Sequence, residues 1–136
     1  MNQTPHKIQQ FNRAKGGAGE GLAGIFLTQR GFELVQNNYR NKHGEIDIIA
    51  IQYKKLLGKE TLEPIYHFVE VKFRLSDTYG RGREAVGRAK QNRIRSTAQY
   101  YLVENGLYGC VYSCFDVIEI TGTLDNPQIE FLENCF

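Results

Sequence analysis

Two short stretches, GEIDIIA (Gly44 to Ala50) and FVEVK (Phe68 to Lys72), set acidic side chains among β-branched residues. Carrying a charge into an apolar strand is costly unless the charge is paired or used. Alternate side chains of a strand point to opposite faces. Glu45, Asp47 and Ile49 therefore share one face and Ile46, Ile48 and Ala50 the other, while Phe68, Glu70 and Lys72 oppose Val69, Val71 and Phe73. If the two strands pair with their apolar faces on the core, Asp47, Glu70 and Lys72 meet on the opposite face. Neighbouring carboxylates repel, so one must take a proton, pair with a cation or bind a metal. Two Asp/Glu oxygens with room for water suit Mg²⁺, which keeps several waters and often completes its coordination on a phosphate. A lysine two residues beyond the second acid can touch a metal-bound water or the charge developing on a phosphate. The chemistry indicated is cleavage of a phosphodiester.

The elements that must position these groups can be read along the chain. Residues Met1 to Lys15 are polar and expected to fray, leaving one domain over residues 16–136. From Gly16 or Gly17 to Arg30, apolar Ala18, Leu22, Ile25 and Phe26 predict a helix stopped at Gly31. Gly17, Gly21 and Gly24 weaken it by roughly 1 kcal/mol each relative to Ala, which suggests close packing or backbone near a ligand. Gly31 to Arg40 reads as a first strand, Asn41 to Gly44 as its turn, and the stretch with Asp47 as a second strand. Gln52 to Pro64 reads as a long connection, and Ile65 to Phe73 as the third strand of an antiparallel meander. A glycine-bearing loop, LSDTYGRGR, leads to a long helix from about Glu84 to Glu104. Its buried stripe is expected to be Ala85, Val86, Ala89, Ile94, Ala98, Tyr101 and Leu102. Strands Val111 to Thr121 and Gln128 to Leu132 close the chain.

The 136 residues, 41% of them hydrophobic and 12% aromatic, suffice for a single domain with a real core. No apolar run approaches the ~20 residues that span a bilayer, and the N-terminal stretch lacks the apolar segment of a signal peptide, so a cytoplasmic location is expected. Cys110, Cys114 and Cys135 match no zinc spacing and are expected to stay reduced. His43 and His67 have no Ser or Cys arrangement for nucleophilic work beside them. The net charge of +2 is unevenly spread. Lys72, Arg74, Arg81, Arg83, Arg88, Lys90, Arg93 and Arg95 crowd one segment against Asp77 and Glu84, and no Lys or Arg follows Arg95. A basic block beginning at the carboxylates suits a phosphate backbone; a solvated helix face is the blander explanation.

Asp47, a spacer and then Glu70-Val71-Lys72 resembles the Asp-(spacer)-Glu-x-Lys motif of the restriction-endonuclease-like superfamily. More narrowly, GGAGEGLAGIFLTQRGFELVQNNYR, HGEIDIIA, FVEVKFR, GREAVGRAKQNRIRSTAQYYL and FDVIEI, in that order between Gly16 and Ile118, resemble the YraN-like bacterial family, related to archaeal Holliday-junction resolvases. The resemblance implies an α/β fold with a restriction-endonuclease-like core: a helix, a three-stranded antiparallel meander, a helix, and one or two further strands in a mixed sheet. It implies a Mg²⁺- or Mn²⁺-dependent nuclease hydrolysing DNA, with preference for a structure such as a junction or flap. Asp47, Glu70 and the carbonyl of Val71 would be metal ligands, and Lys72 would orient or activate the attacking water. Glu20 matches a glutamate that in the relatives serves as a further ligand or holds a water, although a glutamate in a first helical turn is also favoured by the helix dipole. Lys90-Gln91 resembles a position where related nucleases set a polar residue against the metal, so Gln91 is a candidate contact beside Arg74, Arg81, Arg83 and Arg88 for the DNA backbone. Asp116 resembles a position in an Arg-Phe-Asp run, with Cys114 here in place of the arginine, and is expected to be structural. Resolvase relatives act as dimers on two-fold symmetric junctions, so a homodimer is a further implication. Two other readings stay open: a non-catalytic nucleic-acid-binding module on the same fold, and a buried ion-pair cluster of Asp47, Glu70 and Lys72 that needs no metal.

Overall fold

The computed structural model describes residues 18–74, 86–123 and 125–136, the side chain of Ala18 apart. Helix α1 spans Ala18–Gln29 and is followed by strands β1 (Glu33–Asn41), β2 (Gly44–Lys55) and β3 (Leu62–Phe73). Helix α2 (Arg88–Glu104) then leads to β4 (Tyr112–Gly122) and β5 (Pro127–Leu132). The five strands form one sheet in the order β1-β2-β3-β4-β5. β1, β2 and β3 pair antiparallel as the expected meander, β4 lies parallel to β3, and β5 returns antiparallel to β4. The sheet is therefore mixed, and the parallel pair is the one joined through a helix, as parallel pairs must be joined by a crossover.

Both faces of the sheet are covered, which is why two apolar clusters alternate along the same strands. Ala23 and Leu27 of α1 pack with Leu34, Ile48, Ala50, Val69, Ile118 and Ile120. Ile94, Ala98, Tyr101 and Leu102 of α2 pack with Tyr39, Ile46, Ile49 and Phe68. This corrects the expectation of one apolar and one polar face for the paired strands. The parity shared by Asp47 and Glu70 also carries Ile49 and Phe68, and α2 buries that face. The alternation itself breaks at Asp47, because Ile46 joins the α2 cluster while Ile48 and Ala50 join the other.

Three further expectations need correction. In α1 the deepest side chains are Ala23 and Leu27, while Leu22 and Phe26 are only partly buried. The α1 helix stops at Gly31 as expected, with φ +89, a conformation that favours glycine. In α2 the helix starts at Arg88, Ala89 is exposed, and Thr97 joins the buried stripe. Residues 52–64 are mostly ladder rather than connection: Gln52 faces Ile65, Tyr53 faces Pro64, Lys54 faces Glu63 and Lys55 faces Leu62. Charges, Pro64 and Gly58 made this arm read as a loop, yet a hairpin arm extended beyond the core has no apolar face to bury.

Candidate metal centre

The antiparallel pairing of β2 with β3 ends at Ile48 opposite Val69. One residue further, Asp47 and Glu70 sit where the ladder has opened, and the main-chain N–H of Val71 donates to Asp47 Oδ2 at 2.8 Å. The carboxylate thus takes the place of a strand partner, which fixes Asp47 beside Glu70. From the opposite side β3 pairs with β4, Glu70 facing Val117 and Lys72 facing Glu119. Residues opposite one another in a ladder share a face, so Glu119, buried to 2% exposure, lies on the face of Lys72.

Glu70 is 7% exposed and carries two ammonium groups on one oxygen. Lys90 Nζ lies 2.5 Å and Lys72 Nζ 3.4 Å from Glu70 Oε2. Burial, the charge of Glu70 and, more weakly, that of Glu20 push the Asp47 carboxyl up to about 7, against the opposing Val71 N–H and Lys90. Burial and the neighbouring Lys90 lower Lys72, with Glu70 opposing. Burial works against Lys90 as well, yet its contacts with Glu70 leave it raised. A carboxyl raised by burial and a like charge, beside a lysine lowered by burial and a second lysine, is an arrangement found both in functional sites and in structural ion-pair networks.

Glu20 approaches from α1. Gly19 makes that approach possible: a Cβ there would stand 2.7 Å from Cβ and Cγ of Phe73, at the end of β3. The Glu20 carboxylate accepts from Asn38 Nδ2 at 3.1 Å, and Asn38 adopts φ 49, the left-handed region. Glu20 is therefore held close enough to act on Asp47 and is steadied by β1.

The structure brings together Asp47, Glu70, Val71, Lys72 and Glu20. Gln91 is turned to its own helix start, donating to the carbonyl of Val86 at 3.0 Å, and Lys90 supplies the helix side chain that reaches Glu70. Arg74 continues the parity of Glu70 and Lys72 and ties its N–H to the Ile120 carbonyl at 2.8 Å. Arg88 is exposed in the first turn of α2. Arg81 and Arg83 lie outside the described residues. Lys90 could have been found from spacing: it falls four residues after Val86 and four before Ile94, both buried, so one flank of the helix points it inward. Asn38 and Glu119 gave no such signal, since the first depends on a left-handed backbone conformation within β1 and the second on a parallel register.

Asp116, the other acid singled out in the sequence, belongs to a separate cluster. His67 Nδ1 lies 2.6 Å from Asp116 Oδ2, His67 Nε2 lies 3.1 Å from Gln52 Oε1, and the Asn134 N–H donates to Asp116 Oδ1 at 2.7 Å. Both His67 and Asp116 are fully buried.

Among the described residues no three His, Cys, Asp or Glu side chains gather as a ready-made ion site. Two carboxylates of the opened ladder, Asp47 and Glu70, are the donor type that a hard cation takes. No described helix is long and apolar enough to cross a membrane.

A five-stranded mixed sheet between two helices, with Asp, Glu and Lys at the opened β2–β3 edge, is a restriction-endonuclease-like core. A model of the uncharacterised protein family UPF0102 matches residues 19–120. A UPF0102 protein of Clostridium perfringens (strain SM101 / Type A) is 38% identical over 131 residues, covering 95% of this chain and 98% of the relative. One of Alkaliphilus metalliredigens is 38% identical over 126 residues, covering 93% and 100%. A third, of Colwellia psychrerythraea, is 33% identical over 123 residues, covering 90% and 88%. The chain belongs to the UPF0102 family, the YraN-like family that its motifs resemble.

Proposed function

We propose that this protein is a metal-dependent nuclease that hydrolyses DNA phosphodiester bonds. The observation that carries the reading is the convergence of Asp47, Glu70 and Lys72 where the β2–β3 ladder opens, with the Val71 N–H on Asp47 and Lys72 and Lys90 on Glu70. Asp47, Glu70 and the Val71 carbonyl would hold Mg²⁺ or Mn²⁺, which when bound supplies an activated water and charge neutralisation on the phosphate. Lys72, lowered by burial and by Lys90, can hold or pass the proton of an attacking water and oppose charge building on a phosphate oxygen. Lys90, 2.5 Å from Glu70 Oε2, offsets the charge of Glu70. Glu20, steadied by Asn38, sharpens the negative field on Asp47. Arg74 and Arg88, with Arg81 and Arg83, would hold the backbone, which makes affinity fall steeply with salt.

The test is cleavage of a labelled panel (linear duplex, single strand, flap and four-way junction) with Mg²⁺ or Mn²⁺, beside Asp47→Ala and Lys72→Ala. Cutting of one structure, lost in both variants while DNA binding survives, supports the nuclease and names its substrate. Absence of cutting with unchanged, structure-selective binding turns the reading to a binding module. The two lysines on Glu70 favour one second reading, a metal-free ion-pair cluster. It requires that Mg²⁺ leave the unfolding temperature unchanged, whereas a binding site requires a rise that grows with concentration.

A further inference from the structure

A groove of about 250 Å³ runs between the β1–β2 turn and the outer flank of α2, lined by His43, Ser96, Gln99, Tyr100 and Val103. We propose that this groove seats an unpaired nucleobase of the strand that enters the metal centre, with the Tyr100 and His43 rings as the stacking platform. The proposal rests on the nuclease reading for its strand, and on its own geometry for the seat.

The turn is fastened to the helix before any ligand arrives. Asn41 Nδ2 donates to the Thr97 carbonyl at 3.2 Å and to the Tyr39 hydroxyl at 3.0 Å, and the Asn41 side-chain oxygen accepts from the His43 N–H at 2.8 Å. Gly44, at φ 151, lies so close to α2 that a Cβ would stand 3.0 Å from Thr97 Oγ1. His43 and Tyr100 are thereby held with ring centroids 5.7 Å apart at 53°, a tilted pair that leaves ring faces open rather than stacked on one another. Holding the rings in advance removes part of the ordering cost of binding.

The chemistry around the rings suits a base. Tyr100 is 39% exposed and lines the groove, so part of its ring is accessible to a ligand there. The Ser96 hydroxyl and Gln99 amide line the same groove and offer both donors and acceptors to a base edge. Lys42 is exposed next to His43 in the chain, and Arg93 is exposed beside Gly44, so two cations flank the seat for the phosphates. The nearby acids are already engaged, Glu45 by Arg40 Nη2 at 2.5 Å and Glu104 by the Tyr39 hydroxyl at 3.1 Å.

The seat also lies at a usable distance. Tyr100 follows Lys90 by ten helical residues, about 15 Å of rise. His43 precedes Asp47 by four residues of strand, about 13 Å. The two routes agree, and the span is that of about four or five stacked nucleotides at ~3.4 Å each. A base in a duplex cannot offer both faces, so the seat selects unpaired nucleotides, whose stacking on aromatics is tolerant of sequence.

The experiment is anisotropy of a labelled thymidine-rich single strand and of a blunt duplex in EDTA, where no metal-dependent cleavage can occur. The full chain is compared with Tyr100→Ala, Tyr100→Phe and His43→Ala, each checked for an unchanged unfolding temperature. Tyr100→Ala should weaken single-strand binding roughly fivefold to a hundredfold, the range for one stacked base. Its salt slope should not change, because no charge is lost, while Tyr100→Phe and the duplex should be unaffected. Should Tyr100→Ala fail to fold, His43→Ala carries the same expectation. If neither variant alters single-strand affinity, the seat does not exist. If Tyr100→Ala instead abolishes self-association and leaves strand affinity intact, the groove is a contact between copies and the proposal falls. The measurement is independent of catalysis: a chain that never cuts DNA but loses single-strand binding with Tyr100 keeps the seat and loses the nuclease.

Discussion

Strand β3 carries two buried polar clusters three residues apart, and they are built on opposite terms. At His67 every group is answered: Asp116 on one ring nitrogen, Gln52 beside the other, and the Asn134 N–H on the second oxygen of Asp116, with the His67 and Asp116 side chains fully buried. At Glu70 two ammonium groups crowd one oxygen, and the neighbouring Asp47 is held near neutrality by burial and by Glu70. A buried network whose members are all bonded rigidifies a fold. A half-buried one whose charges conflict stores a penalty that a cation or a phosphate would relieve. The contrast separates a fully paired acid, Asp116, from Asp47 and Glu70, whose charges crowd one another.

The largest effect is expected where the network is complete. Asp116→Ala strands the His67 ring in the core and removes the acceptor of the Asn134 N–H, and breaking a buried pair in this way costs about 3–5 kcal/mol. Urea unfolding should show that loss, and a loss below 1 kcal/mol would erase the distinction between the clusters.

Asp47→Asn should do the reverse. The folded carboxyl, at about 7, lies above its ordinary value of 3.8. The stabilising contribution of its neutral form is therefore complete below pH 3.8, is lost as pH rises toward 7, and is absent above. Relative to Asp47→Asn, whose amide oxygen can still accept from Val71, the natural chain should lose stability across that window. Each pKa unit carries about 1.4 kcal/mol, and water reaching the group reduces the sum, so a gain on the order of 1–2 kcal/mol is expected for the variant at pH 8. Unfolding temperatures from pH 4 to 8 check this, and parallel curves for the two proteins would show that Asp47 ionises normally.

The smallest effects belong to the basic rim. Arg88→Ala should leave stability within ~0.5 kcal/mol and reduce the salt slope of DNA binding by about one. An unchanged slope removes Arg88 from the backbone contacts.

Much of this contrast could be read before the fold was known. Alternation with an assumed β2–β3 pairing places Asp47, Glu70 and Lys72 together, although the alternation itself breaks at Asp47 and both sheet faces are covered; the meander, both helices and the closing strands follow from apolar spacing and glycine stops. The sequence could not show that α2 covers the acidic face, because covering depends on where a helix fifteen residues past β3 returns. Lys90-Gln91 resembles a position set against the metal, yet the side chain that reaches Glu70 is Lys90 and not the expected Gln91, because Lys90 is spaced four residues from both Val86 and Ile94. The His67–Asp116 pair depends on the β3–β4 parallel register, in which His67 faces Cys114 and Val69 faces Asp116, a pairing that no local pattern encodes. The arm of residues 52–64 was misread because its charges, Pro64 and Gly58 carry loop signals even when hydrogen bonding pairs it as strand.

The central claim, that the conflict at Asp47 and Glu70 is a cation site, is tested most directly by Mn²⁺ titration followed by electron paramagnetic resonance of the free ion. The natural chain should take up one Mn²⁺ that Mg²⁺ displaces, and both Asp47→Ala and Glu70→Ala should lose it while remaining folded. Uptake that is absent, or equal in the natural chain and both variants, would contradict the claim and leave the acids as partners of Lys72 and Lys90 alone.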